Sequence, residues 1–133
     1  MSSSSPEKSF FHSLLDGVND ERKVAIRELR EKLGAEGAEA RFREMEQPGL
    51  MSLYLEHLAV ILEDNVEGRD ENWARGELIR VYEQHGEHYH NLAVDALRRG
   101  GPYDNSEFMG LSMEASIKEG AAERLRRESS QPQ

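Results

Sequence analysis

Apolar positions recur at helical spacing along almost the whole chain. Phe11, Leu14, Leu15, Val18, Ala25, Ile26, Leu29 and Leu33 fall within about 60° of one line at 100° per residue. Ser5, Pro6 and Glu7 supply a cap, a first-turn proline and a first-turn carboxylate. The pattern predicts one long helix over 6–33 kinked at Gly17, with two helices, the second capped by Asn19 or Asp20, as the alternative. Gly34 ends the segment.

A short helix is expected over 35–47, anchored by Phe42 and Met45, and Pro48-Gly49 breaks it. Leu50, Met51, Tyr54, Leu55, Leu58, Ile61 and Leu62 mark an amphipathic helix over 50–65. In that register Glu56 lies opposite the apolar side and His57 at its edge. A loop at 68–70 ends in Asp70 as the cap of a helix over 71–98, which Gly100-Gly101-Pro102 stops. Asp104 or Ser106 caps a last helix over 106–127. Its apolar residues Met109, Met113, Ile117, Ala121 and Leu125 precess around the axis, and Gly110 and Gly120 interrupt them. The pattern leaves open whether this helix packs on its own core or on a partner.

No segment alternates with period two, and threonine is absent. The expected fold class is all-α: an antiparallel helical bundle of four main helices plus one short helix. One domain, 6–128, is expected between a disordered tip at 1–5 and a disordered tail at 129–133.

Charge narrows the partners. Of the 133 residues 32% are charged, and the net charge is −9. Phosphate backbones and anionic membranes need clustered Lys and Arg, so no nucleic acid and no membrane is expected as partner. Arg124, Arg126 and Arg127 are the one basic run, and they read as a helix C-terminus favoured by the macrodipole. With no cysteine, disulfides, thiolate metal sites and cysteine nucleophiles are excluded. The opening residues lack a charged and an apolar region, so no signal peptide is read there, and a cytoplasmic location is expected.

Three of five histidines fall within six residues, His85-Gly86-Glu87-His88-Tyr89-His90. Helical phase divides them. Leu78, Val81, Tyr82, Tyr89, Leu92, Ala93 and Ala96 define a buried side that contains His85, with Gly86 at its margin, where a neighbouring helix can approach closely. His88 and His90 flank it at about −60° and +140° from His85, and Glu87 points away at about 200°. Glu87-x-x-His90 has the spacing that ferritin-like di-iron proteins use on inward surfaces. Here only an oligomer burying the outer side would complete it. A second ligand set is His85 with His88, joined by His57, which suits a transition metal; a core-facing His85 also suits haem. The simpler reading keeps His85 as a hydrogen-bonded core residue and His12 as a surface one.

There is no Gly-x-Ser-x-Gly elbow, no phosphate loop and no calcium loop. Two functional readings result. The preferred one is a non-enzymatic helical bundle acting through a protein partner or as a homo-oligomer, with Trp73, off the core stripe, and Met109 and Met113 as contact residues and no cofactor. The alternative is a metal- or haem-binding bundle, a sensor or store, using His85, His88, His90, His57 and Glu87.

Overall fold

The computed structural model describes residues 9–100 and 105–130. The tip at 1–5, the Ser5-Pro6 helix start, the Gly101-Pro102 stop, the Asp104 cap and tail residues 131–133 lie outside that set. The described elements are α1 (Phe10–Asp16), α2 (Asp20–Glu44), a 3-10 turn (Pro48–Leu50), α3 (Met51–Glu63), α4 (Glu71–Arg99) and α5 (Ser106–Ser130). The fold class is all-α, with no strand among the described residues.

The single helix expected over 6–33 is two. α1 stops at Gly17, and Asn19 takes an extended backbone whose side chain accepts from the N–H groups of Glu21 and Arg22. A good cap satisfies first-turn donors that a continuous helix would leave to the preceding residues, so it outcompetes the continuous apolar register. α2 then runs to Gly34, which adopts φ 75° and ψ 176° inside the element. That conformation suits glycine almost alone. Beyond it the helix resumes to Glu44 and carries Phe42 into the core, followed by buried Met45.

The chain divides into two compact units, one ending at Ala74 and one beginning at Arg75. In the first, α2 packs against α3 with Lys23 near Glu63, Arg30 near His57 and Phe42 near Tyr54, an antiparallel pairing. Its centre is aromatic. Phe42 stacks on Tyr54 with centroids 4.7 Å apart and planes 12° off parallel, and it also meets His57 at 5.0 Å and Trp73 at 6.2 Å. Cations of α2 line the seam: Arg27 reaches both Glu63 and Asp64, and Lys23 bonds Glu63 at 2.5 Å. These two cations hold the Glu63 carboxyl below its ordinary range.

The second unit is α5 laid antiparallel on the length of α4 beyond Ala74. Arg99 meets Glu107 near one end, while Glu83 pairs with Arg126 near the other. Between these, a Cβ placed on Gly86 would stand 3.6 Å from the carbonyl oxygen of Ala115 and 2.8 Å from Cγ of Glu119. Gly86 thus admits α5 closely, as its phase suggests. The buried residues of α5 are Ala115, Ala122 and Leu125, with Phe108, Leu111 and Lys118 partly covered. Their three-and-four spacing is that of a helix seam. Of the apolar row read from sequence, Leu125 joins this seam, while Met109, Met113 and Ile117 stay exposed.

Candidate functional site

The histidines separate as helical phase suggests, and further. His85 is buried, 2% exposed, with its ring edge-on to Tyr82 at 6.5 Å. His88, His90 and Glu87 are exposed, and the His88 ring lies against Tyr89. His57 belongs to the first unit and His85 to the second. Among the described residues no group of three His, Asp or Glu side chains is placed to hold a metal ion.

Two residues of α3 depart from their expected positions. Glu56, read opposite the apolar side, is 4% exposed, and His57, read at its edge, is wholly buried. The reason is that α2 covers α3 with arginines: Arg22 reaches Glu56 at 3.4 Å, and Arg30 reaches Nε2 of His57 at 2.9 Å. A polar position on α3 therefore faces protein. No apolar pattern reports that, although the basic spacing Arg22, Arg27, Arg30 on the facing helix carries the signal.

His12 is exposed, as expected, yet it is not idle. Its Nδ1 lies 2.6 Å from Oγ of Ser9, and its Nε2 lies 3.1 Å from Oε2 of Glu71. Hydroxyl, imidazole and carboxylate in that order resemble a nucleophile, base and orienting acid. Here Ser9 is the cap of α1, accepting the His12 backbone N–H, and Glu71 opens α4. The His12 and Glu71 side chains stand about half in water, where such a relay gains little over solvent. The chain of bonds ties α1 to the start of α4.

Trp73 is half-buried. Its ring lies beside Phe42 and under the Arg69 guanidinium at 4.5 Å, so much of its area serves the first unit's own packing. Asp70 caps the helix start by accepting from the Trp73 N–H, as the sequence suggests.

Met109 and Met113 are different. They are 59% and 64% exposed, and Ile117, one turn on, is 58% exposed. The three sit at i, i+4 and i+8, about 170° around α5 from its buried seam. Three large apolar side chains in one exposed row on a helix already packed on its other side form an unpartnered surface. Scattered apolar residues at a protein surface are ordinary; a contiguous row is informative.

The second unit thus combines a buried histidine on α4 with an exposed apolar row on the outer side of α5. No protein-family model, curated protein or solved structure matches the chain.

Proposed function

We propose that the protein is a non-enzymatic interaction module and that the outer row of α5 is its contact surface. One observation carries this reading: Met109, Met113 and Ile117 are each more than half exposed and aligned on one side of a helix whose other side is packed. Methionine adapts its shape to what it meets, which suits a row made mostly of Met to recognition. Burying an aliphatic side chain of this size contributes about 1.5–3 kcal/mol, so three in line supply a useful anchor.

The test is the double variant Met113→Ser with Ile117→Ser. Exposed substitutions of this kind change stability by about 0.5 kcal/mol or less, so helicity and melting should match the wild type. Association with the protein recovered alongside the native chain, repeated with both components purified, should be lost. A variant that binds as well as the wild type, or that loses binding only because it unfolds, removes this reading.

A further inference from the structure

Charge around the α5 row says what kind of partner it fits. Viewed down α5, Glu107 and Glu114 border the row on one side, and Glu119 and Glu123 border it on the other, each roughly 80–120° from its centre. On the second side the surface falls into a trough of about 690 Å³ between α4 and α5, walled by Glu83 and Glu87 from α4 and by Glu119 and Glu123 from α5. Gly120, which lies in line with the row, also lines the trough, so apolar row and acidic trough are continuous. Two of the neighbouring cations are already engaged: Arg126 pairs with both Glu83 and Glu123, and Arg127 turns to Glu123. Glu87, Glu114 and Glu119 make no ion pair among the described residues.

Resting on the interaction reading above, we infer that the occupant is a basic amphipathic helix of a partner protein. Its apolar residues lie on Met109, Met113 and Ile117, and its Lys or Arg residues flank them over the two carboxylate borders. A docked helix reads apolar anchors three and four residues apart, and Met109, Met113 and Ile117 stand four apart on α5. Electrostatic complementarity sets which partner is accepted and how fast it arrives. A second copy of the chain is disfavoured on the same ground, because it brings net charge −9 and the same carboxylate borders against themselves.

The experiment uses the full chain and two synthetic helical peptides with identical leucine rows, one with lysines and one with glutamates on the polar side. The lysine peptide should bind, and raised salt should weaken it as surface charge is screened. Ile117→Ser should weaken it about tenfold or more, and Glu114→Gln with Glu119→Gln should weaken it several-fold. The glutamate peptide should not bind. Equal binding of both peptides overturns the inference, as does lysine-peptide binding that Ile117→Ser leaves unchanged, since that is attraction to net charge alone. Failure of the lysine peptide to bind also overturns it. So does a dimer of the free chain, seen by light scattering, that Ile117→Ser dissolves. If the native partner's binding is lost in the Ser variants while the lysine peptide fails, the interaction module stands and only the basic-helix assignment falls.

Discussion

The Arg30 guanidinium points at Nε2 of His57 from 2.9 Å. An arginine can only donate, so Nε2 accepts and the imidazole proton sits on Nδ1. That Nδ1 is buried without a hydrogen-bond partner among the described residues. Burial first, and the neighbouring Arg30 charge second, push the His57 pKa down to about 4 from 6.5. The folded protein therefore holds this histidine neutral, while the unfolded chain takes up a proton below 6.5. Stability from this site is complete above that value and is lost as pH falls toward about 4, by an amount on the order of 3 kcal/mol. Glu63, held below its ordinary range, acts in the same direction at lower pH: its contribution is present above its unfolded pKa and fades as pH falls through its folded value. Urea melts between about pH 7.5 and about pH 4.5 should show falling stability. His57→Gln keeps an acceptor for Arg30 and removes the titration, so its curve should be flat over the upper part of that range. An unchanged slope in this variant would assign the acid sensitivity elsewhere.

Gly34 and Gly17 separate backbone strain from packing. A Cβ at either position meets nothing within 4 Å, but Gly34 has φ 75° and Gly17 does not enter that region. Gly34→Ala should therefore cost about 1–3 kcal/mol through the backbone alone. Gly17→Ala should be neutral or stabilise by up to about 1 kcal/mol, because it restricts the unfolded chain. Thermal melts of the pair decide it; equal shifts would mean that φ is not what Gly34 supplies.

Phe42 is the shared neighbour of Tyr54, His57 and Trp73 and is fully buried. Phe42→Ala should cost about 3–5 kcal/mol, the usual range for deleting a buried ring. Because Trp73 is the only tryptophan, its fluorescence reports the change directly: emission should shift to longer wavelength as water reaches the cavity. A variant that melts lower with unchanged emission would place Trp73 outside the Phe42 cluster.

Helix type, the 71–98 element, the inward phase of His85 and the short anchor at Phe42 and Met45 were legible because each rests on local periodicity or on a cap. The misread positions needed the partner helix. Glu56 and His57 are buried because Arg22 and Arg30 cover them, which a pattern along α3 alone does not encode. The α1–α2 break was a contest between an apolar register and a side-chain cap, and the Asn19 cap won locally. On α5 the apolar residues precess around the axis, so the pattern leaves its inner side open, and the neighbouring helix decides it: close approach at Gly86 admits Ala115 to the seam. The same approach leaves Met109, Met113 and Ile117 outside, so the inner seam of α5 and the candidate surface share one cause.

That cause can be tested at Gly86. An alanine there gains helix propensity of about 1 kcal/mol, but its Cβ would stand 2.8 Å from Cγ of Glu119. The Glu119 side chain can swing aside, so Gly86→Ala should be close to neutral. In a Glu119→Ala background the obstruction is gone, and the same substitution should stabilise by up to about 1 kcal/mol. Gly86→Leu is different in kind, because its side chain must enter the space next to the Ala115 carbonyl, which is backbone and cannot rotate away. It should force α5 outward and cost about 1–3 kcal/mol. Denaturant midpoints of the four variants measure this order. If Gly86→Leu is tolerated as well as Gly86→Ala, then α4 and α5 do not approach closely at this point, and the seam through Ala115 that turns the methionines outward loses its physical basis.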